Sequence, residues 1–389
     1  MKKEYYLDNG ATTRPYEEVV DLVANISKNC YGNSSSLHTK GIEAERIINQ
    51  AKEDLANILG VKPSEIYFTS GGTESNNMAI SGSIMANRKK GKHLITTKIE
   101  HSAVLEVFKH YEAEGYETDF ISVDESGKVN VDELLRAIRK DTVLVSVMAV
   151  NNETGCIQPI KEIGDKIKTL KDKPLYHVDA VQAFGKMPIK PQSFGADLLS
   201  ISGHKFHGPK GIGVLYIKTG TKIEPVMWGG GHQGGMRSGT MDTPGIAGLA
   251  LAAKMVYSNL DATGRKISEL RRSLLDFVKN KFKDAVIHSE HCSLDHIVSI
   301  SFPNVKGEVL LHHLEAKGIY VSTGSACSSS GKSKSHVLKA MGVAPELLDG
   351  TIRISFSEFN EQEDIEKLKE ALEEIIPVIT IKNRSKVMR

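Results

Sequence analysis

Cysteine is scarce in this chain of 389 residues, and long apolar runs are absent. The cysteines stand without CxxC spacing, so neither a structural disulfide set nor a zinc finger is expected. They are Cys30, Cys156, Cys292 and Cys327. The longest apolar runs, such as residues 142–150, are far shorter than the roughly 20 residues of a membrane helix, and residues 1–10 lack the apolar core of a signal sequence. We therefore expect a cytoplasmic protein with no membrane partner, in which at least one cysteine can serve as a working thiol.

A strong charge of either sign is also missing. The 50 basic and 48 acidic residues are spread through the chain and leave a net charge of +2, which gives no electrostatic footprint for nucleic acid. We expect small molecules and proteins as partners instead. The length exceeds a single hydrophobic core of about 250 to 300 residues, so one large and one smaller domain are expected.

Short apolar runs alternate with helical segments through the first two thirds of the chain, which is typical of an α/β domain with a mainly parallel sheet. Seven runs are candidate strands, over residues 66–69, 94–97, 118–122, 144–150, 176–179, 198–202 and 214–217. After about residue 258 the pattern changes to a smaller α+β set of elements. We predict a large domain over residues 16–257 and a small domain built from residues 1–15 and 258–389.

One candidate nucleophile is a lysine at the end of a predicted strand. Ser202-Gly203-His204-Lys205 follows the strand and precedes the glycine-rich turn of residues 208–213. Most lysines are surface charges. A lysine held between a buried strand and a tight turn is different, because burial disfavours its charged form and frees the amine to form a Schiff base. Lys205 is therefore a candidate Schiff-base lysine.

Asp179 ends another predicted strand and is followed by Ala180-Val181-Gln182. An aspartate in this place is more often a turn residue or a helix cap. A pyridoxal phosphate (PLP) ring, however, requires a carboxylate beside its pyridine nitrogen, since the protonated ring is an electron sink. Asp179 fits that role, and Gln182 is near enough along the turn to contact the ring oxygen.

A glycine turn joins a predicted strand to a predicted helix at Thr69-Ser70-Gly71-Gly72-Thr73-Glu74. Such a junction offers free N–H groups and the positive end of the helix to a phosphate. A plain glycine turn with Thr73 as the N-cap explains the same residues, and both interpretations stay open. The motif is not a Walker P-loop, because no Gly-Lys-Ser/Thr follows.

His101 follows the candidate strand 94–97. A histidine at the carboxyl end of a strand can stack on an aromatic cofactor and move protons, although a lone histidine is more often structural or exposed. We expect no metal site, because neither of two histidine-containing groups has a full ligand set at a recognised spacing. These groups are His288, His291 and Cys292, and His204 and His207.

Cys327 lies in a loop of small residues that cannot pack a core. Free cysteines are usually buried and inert. Here the neighbouring Lys332 and Lys334 favour the thiolate, so Cys327 is a candidate nucleophile.

Taken in order, these motifs resemble those of the cysteine desulfurases of class V aminotransferase ancestry, and the match runs nearly end to end. Each landmark alone is weak, but their order is specific. In chain order they are Tyr6-Leu7-Asp8-Asn9-Gly10-Ala11-Thr12-Thr13, Tyr31-Gly32-Asn33, Thr69-Ser70-Gly71-Gly72-Thr73-Glu74-Ser75-Asn76, Glu100-His101, Asn151-Asn152-Glu153-Thr154-Gly155, His177-Val178-Asp179, Ser202-Gly203-His204-Lys205, Arg237-Ser238-Gly239-Thr240 and Gly324-Ser325-Ala326-Cys327.

The resemblance implies a PLP enzyme of fold type I that works as a homodimer. It implies that Lys205 forms the Schiff base and that His101 stacks on the ring. It also implies that Asp179 contacts the ring nitrogen and Gln182 the phenolic oxygen. The other implied cofactor contacts, mostly to the phosphate, are Gly72, Thr73, Ser202, His204 and, from the other subunit, Thr240. The implied ligands of the substrate carboxylate are Asn152 and Arg353, a guanidinium being well shaped for a carboxylate.

The resemblance further implies the reaction. L-Cysteine would displace Lys205, and the Cys327 thiolate would take the substrate sulfur, leaving alanine and a persulfide. The sulfur would then pass to an acceptor protein, either an iron–sulfur scaffold or a thiolation carrier. Two rival interpretations stay open: a selenocysteine lyase or other β-elimination enzyme that does not need Cys327, and a non-catalytic scaffold that docks assembly proteins.

Three segments depart from the family pattern. The family commonly has Gly-Asn-Pro-Ser where this chain has Gly32-Asn33-Ser34-Ser35, and Glu-Arg-Gly where it has Gln233-Gly234-Gly235. After Cys327, a more acidic and proline-containing continuation is replaced by residues 331–335, Gly-Lys-Ser-Lys-Ser. The missing arginine affects the expected subunit contacts, and the altered loop affects which acceptor protein is expected. None of these changes falls on a residue expected to bind PLP.

Overall fold

The computed structural model describes residues 3–291, 293–323 and 334–381. In chain order its strands are β1 (Tyr5–Tyr6), β2 (Ile66–Thr69), β3 (His93–Thr97), β4 (Glu117–Ile121), β5 (Thr142–Met148), β6 (Leu175–Asp179), β7 (Leu198–Ser202), β8 (Gly213–Ile217), β9 (Val286–Ile287), β10 (Ile297–Ser301), β11 (Ile319–Tyr320) and β12 (Thr351–Ser355). Its α-helices are α1 (Glu17–Asn29), α2 (Thr39–Leu59), α3 (Gly72–Asn87), α4 (Ser102–Ala113), α5 (Val131–Ala137), α6 (Ile160–Lys168), α7 (Thr243–Ser258), α8 (Leu260–Lys281), α9 (Gly307–Ala316), α10 (His336–Ala340), α11 (Pro345–Leu348) and α12 (Gln362–Ile379).

Seven strands form one sheet in the order β2-β8-β7-β6-β5-β3-β4. Neighbouring strands are parallel except at β8, which is antiparallel to both β2 and β7. These are the seven strands predicted from sequence, so the mainly parallel α/β sheet is confirmed. Strand β5 is buried along its whole length, as expected for a continuous apolar run covered on both faces.

The sheet brings five predicted site segments to one edge. The parallel strands β3, β5, β6 and β7 all end there, and β2 ends there too because it is antiparallel to β8. Ligands of open α/β sheets bind outside the carboxyl ends of the strands. The candidate residues that follow these strands therefore converge in space.

Two large apolar cores stand behind this edge. The first lies between the seven-stranded sheet and helices that include α1, α2 and α7. The second is formed by Tyr5 and Leu7 together with α8, α9, α12, β10 and β12. A three-stranded sheet, β12-β10-β9, belongs to the second core, and β1 pairs in parallel with β11. Among the residues described, no helix is both long and apolar enough to cross a membrane.

Candidate active site

A pocket of about 240 Å³ opens at the carboxyl edge of the large sheet. Ten of the twelve site residues expected from sequence line it: Gly72, Thr73, His101, Asn152, Asp179, Gln182, Ser202, His204, Lys205 and Arg353. Thr240 is exposed and does not line the pocket of its own chain. Cys327 lies outside the described residues.

Lys205 enters the pocket from a short 3-10 turn, Gly203–Lys205, directly after β7. Its Nζ donates hydrogen bonds to the carbonyl oxygens of Gly10, at 2.7 Å, and Ala11, at 2.8 Å. The turn is closed by bonds from the N–H of Gly203 to Ile212 and from the N–H of Gly208 to Gly203, 3.0 Å each. The amine is therefore held at the pocket by the N-terminal segment of the chain.

The carboxylate of Asp179 is fixed at both oxygens at the end of β6. Asn76, on α3, donates from Nδ2 to Oδ2 at 2.7 Å, and the N–H of Val181 donates to Oδ1 at 2.9 Å. The bond from the N–H of Val181 is typical of a turn residue, so Asp179 also has the role of a turn residue that its position after a strand suggests. Sequence reasoning missed the role of Asn76; the signal available was its place one helical turn beyond Gly72, on the buried face of α3.

The glycine turn after β2 leads directly into α3, whose first residue is Gly72 and whose N-cap is Gly71. Thr73 is thus the second residue of the helix, and the alternative that made it the N-cap is wrong. A Cβ on Gly72 would lie 2.7 Å from Cγ2 of Val181, so only glycine fits there. The first N–H groups of a helix have no acceptor within their own helix, which makes this wall of the pocket suited to an anion.

Glu74 ties this turn to a distant segment. Its carboxylate accepts from Nε of Arg237 at 2.7 Å, from Nη2 at 3.3 Å, and from the N–H of Ser70 at 2.7 Å. Burial works to raise the pKa of Glu74, but the bonds from Arg237 and Ser70 outweigh it and hold the pKa below its ordinary value. The segment that carries Thr240 is therefore anchored beside the glycine turn that precedes α3.

His101 is the N-cap of α4, and its Nδ1 accepts from the N–H of Ala103 at 3.1 Å. A neutral ring with an accepting Nδ1 carries its proton on Nε2. Burial lowers the pKa of His101, Asp179 opposes that shift, and the positive charge of Lys205 adds to it. The ring is thus a neutral donor that faces the same pocket as Lys205 and Asp179.

Arg353 reaches the pocket from β12 and is buried. Its Nη1 donates to the main-chain oxygen of Asn152 at 2.8 Å and its Nη2 to Oδ1 of Asp8 at 2.9 Å. Its Nε is buried with no hydrogen-bond partner among the described residues. A guanidinium with an unused donor in a pocket is suited to a carboxylate ligand. Asp8 is a second neighbour that sequence reasoning missed.

The groups around this pocket fit PLP. A carboxylate, a lysine amine, a neutral histidine and a glutamine amide surround it, and a helix start with hydroxyl groups lies at one wall. These are the groups required by a ring nitrogen, an aldehyde, an aromatic face, a ring oxygen and a phosphate. Within the described residues, no cluster of three or more His, Cys, Asp or Glu side chains suited to a metal occurs.

One of the three departures from the family pattern has a structural role. The side-chain amide of Gln233 accepts from the N–H of Phe68 at 2.7 Å and donates to its carbonyl oxygen at 2.8 Å. It thereby pairs with the edge strand β2 as a neighbouring strand would. Gly234, which stands where the family pattern has arginine, follows with a φ of +66°, a conformation that favours glycine, and Gly235 has a φ of +83°.

Comparison with known proteins agrees with this geometry. The family model described as "Aminotransferase class-V" matches residues 5–368. A protein named cysteine desulfurase IscS from Methanosarcina thermophila is 44% identical over 374 residues, covering 96% of this chain and 92% of that protein. A solved structure titled "NIFS-LIKE PROTEIN" has a TM-score of 0.91 at 40% identity and covers 97% of this chain and 100% of that chain. Another, titled "SspA in complex with cysteine", has a TM-score of 0.82 at 31% identity and covers 92% of this chain and 100% of that chain.

Proposed function

This chain belongs to the class-V aminotransferase family and is a PLP-dependent cysteine desulfurase, and we propose that Lys205, Asp179 and His101 form its cofactor site. The observation that carries this proposal is the convergence of the three side chains on one pocket. Bound PLP supplies an electron sink that weakens the Cβ–Sγ bond of cysteine. The residues of the chain bind the cofactor and the substrate and transfer protons.

In this proposal Asp179 holds the proton on the ring nitrogen, Gln182 donates to the ring oxygen, and His101 covers one face of the ring. Lys205 would hold the cofactor covalently, and its amine, once free, would move a proton at the substrate Cα. The hydrogen bonds that fix Asp179 and Nδ1 of His101 support these assignments, because they limit how far either group can rotate.

We assign the phosphate to the start of α3. The N–H groups of Gly72 and Thr73 and the side chains of Thr73, Ser202 and His204 line that wall of the pocket. Burial, with Lys205 adding to it, lowers the pKa of His204 to about 4, so the neutral ring can bind the phosphate as a hydrogen-bond donor. Thr240 completes the phosphate site of the partner subunit in this proposal.

Arg353 and Asn152 bind the substrate carboxylate in the proposed complex. The unused Nε of Arg353 supports this role. The similar structure titled "SspA in complex with cysteine" supports cysteine as the ligand. The Cys327 thiolate then attacks the sulfur of the bound substrate. The Cβ–Sγ bond breaks and an S–S bond forms, so that protonation of the remainder gives L-alanine and leaves a persulfide on Cys327.

We also propose a homodimer. Trp228 is 74% exposed and lies in the segment that leads to Thr240, where residues 227 and 237 form a β-bridge. Trp228 is an exposed apolar side chain, and Thr240 does not line the pocket of its own chain. Both observations support a subunit contact through this segment. A catalytically competent monomer in analytical ultracentrifugation would contradict this proposal.

The remaining parts of the proposal concern organisation and sulfur delivery. In this proposal residues 16–257 form the large domain and residues 1–15 and 258–389 the small one, a division that the membership of the two large cores supports. The persulfide sulfur passes to an acceptor protein, an iron–sulfur scaffold or another thiolation carrier. A cytoplasmic location suits the reaction, since a reducing compartment keeps the thiols of Cys327 and of the acceptor available for sulfur transfer.

The deciding experiment compares Cys327→Ser with wild type. Purified protein is assayed with L-cysteine and a reductant, and alanine and sulfide are both measured. Because Cys327 acts after substrate has bound, the variant should bind PLP and cysteine with normal spectra yet release almost no alanine. Cys30→Ser is the matched control, since Cys30 is a partly exposed free cysteine elsewhere in the chain, and it should keep normal turnover.

Peptide mass spectrometry of wild type, treated with cysteine and no reductant, should find one added sulfur on Cys327 alone. Near-normal turnover by Cys327→Ser would instead favour a lyase that eliminates without a persulfide. A protein that binds no PLP and has no turnover would favour the scaffold interpretation. Borohydride reduction followed by peptide mapping should place PLP on Lys205, and attachment to any other lysine would refute that assignment.

A further inference from the structure

A lysine that takes no part in the roles above lies directly behind Gln182. After Asp179 the chain makes two helical turns, with bonds from Phe184 to Ala180 and from Met187 to Ala183. Gly185, with its positive φ, separates the two turns, and the side chains of Gln182 and Lys186 meet across them. Lys186 Nζ donates to Oε1 of Gln182 at 3.0 Å.

Tight packing holds Lys186 in this place. Gly185 has a φ of +77°, and a Cβ there would lie 2.8 Å from Cβ of Phe206 and 2.9 Å from Cγ1 of Val256. The ring of Phe184 packs against that of Phe206, with 4.8 Å between the centroids. Since Phe206 is the residue after Lys205, the turn that carries Lys186 is packed against the turn that carries the proposed Schiff-base lysine.

The contact decides which way the Gln182 amide faces. An amide has one end that accepts and one that donates, and a lysine amine that donates to Oε1 selects the orientation in which Nε2 points away from it. Nε2 of Gln182 donates to the carbonyl of Gly10 at 2.9 Å, the same oxygen that accepts from Lys205. Lys186 therefore turns the donor end of Gln182 toward the pocket.

We propose that Lys186 is a positioning residue, which orients and polarises the amide of Gln182 so that Nε2 donates to the ring oxygen of PLP. This inference rests on the proposed role of Gln182. An ammonium bonded to the amide oxygen draws electron density from the amide and strengthens the N–H donor at its other end. The ring oxygen is anionic, so a stronger donor binds it more tightly.

Several charged and titratable groups surround Lys186. Burial, together with the positive charges of Lys205 and Arg353, lowers its pKa to about 7. The narrow cavity on its other side is lined by polar groups that include His207, His296 and Glu358. Bound PLP brings an anionic phosphate and ring oxygen, which favour the ammonium form of a nearby lysine. An amine can donate to Oε1 in either form, so the orienting contact does not depend on that titration.

The test is a double-mutant cycle on the holoenzyme with Lys186→Met and Gln182→Ala. Two quantities are measured that do not depend on turnover: the PLP dissociation constant from equilibrium dialysis, and the pH midpoint of the absorbance change of bound PLP. Lys186→Met should weaken PLP binding by about 3- to 10-fold, the range expected for one hydrogen bond. It should also raise the pH midpoint. A hydrogen bond to the anionic ring oxygen stabilises the deprotonated cofactor, so its loss favours the protonated form.

Both effects of Lys186→Met should disappear when Gln182 is already alanine, because the lysine acts through that amide. Lys186→Arg keeps an N–H donor and should restore most of the wild-type affinity. The matched control is Lys52→Met, which removes another lysine whose pKa is lowered by burial, but on α2 and away from the pocket. It should change neither quantity.

Three outcomes would overturn the inference. An unchanged dissociation constant and midpoint in Lys186→Met, with Gln182→Ala impaired, would refute the role of Lys186 and leave the proposed function intact. Equal effects of Lys186→Met with and without Gln182 would mean that the lysine acts through its charge alone. If Gln182→Ala itself changes nothing, the proposed contact of Gln182 with the ring oxygen fails as well. Should Lys186→Met not fold, Lys186→Gln is judged by the same criteria.

Discussion

Glu100 is the clearest point at which the structure predicts a pH-dependent stability. The side chain is fully buried beneath His101, where Oε1 accepts from Oγ1 of Thr97 at 2.7 Å and from the N–H of Met148 at 2.9 Å. Oε2 has no hydrogen-bond partner among the described residues. Burial, opposed by these two bonds and aided by the charge of Asp179, raises the pKa of Glu100 from 4.5 to about 8.

The sign of the effect follows from proton binding. A folded-state pKa above the unfolded value means that the native protein holds a proton which the unfolded chain has lost. Below pH 4.5 Glu100 therefore does not lower the free energy of unfolding. As the pH rises this free energy falls, and the loss is complete above pH 8. At about 1.4 kcal/mol for each pKa unit, the loss of stability between pH 5 and pH 9 is about 4 kcal/mol.

Glu100→Gln should remove this loss, because glutamine keeps the accepting Oε1 and has the shape of the protonated acid. Urea unfolding of the PLP-saturated protein, followed by circular dichroism at pH 5, 7 and 9, measures it. The variant and wild type should be similarly stable at pH 5, and the variant should be more stable by about 4 kcal/mol at pH 9. Glu112→Gln, an exposed substitution on α4, is the control. A stability difference that is constant across the three pH values would show that Glu100 is not buried as an acid.

Two further substitutions test contacts that sequence reasoning missed. Asn76→Leu removes the donor to Oδ2 of Asp179 and should weaken PLP binding by about 10-fold or more in a spectrophotometric titration, as for a hydrogen bond to a charged group. Asn77→Leu, on the same helix but bonded only locally to Thr73, is its control, and equal effects of the two would contradict the role of Asn76. Gln233→Ala removes both bonds to Phe68 and should lower the free energy of unfolding by about 1 to 2 kcal/mol in urea; an unchanged midpoint would show that the edge strand does not need this amide.

The strands and the main site residues could be predicted because their signals are local. Each strand of the large sheet is a short apolar run, and the parallel runs end at one edge of the sheet, so polar residues that follow neighbouring runs lie close together. Asp179, His101 and Lys205 follow β6, β3 and β7 in this way. Their chemical types and positions suggested candidate roles, and the family resemblance then implied these roles as one set.

The supporting contacts could not be predicted, because they join residues far apart in sequence. Asn76 and Asp179 are 103 positions apart, and Arg353 and Asp8 are 345 apart. Helical spacing puts Asn76, and not Asn77, on the same face of α3 as Gly72, but no local pattern shows which side chain Asn76 meets. Only the packing of α3 against the sheet turns one amide toward a carboxylate and leaves the other near the surface.

The N-terminal segment shows how these distant contacts make one site. Leu7 packs in the second core, whereas three residues later the carbonyl of Gly10 accepts from both Lys205 and Gln182 beside the large sheet. The N–H of Gly10 donates to Oγ of Ser355 at 2.7 Å, on the strand that carries Arg353. One peptide segment thus connects the residues proposed to bind the cofactor with the strand proposed to bind the substrate. A shift of the second core relative to the sheet must therefore move Gly10, and with it the acceptor that holds the amine of Lys205 in the pocket.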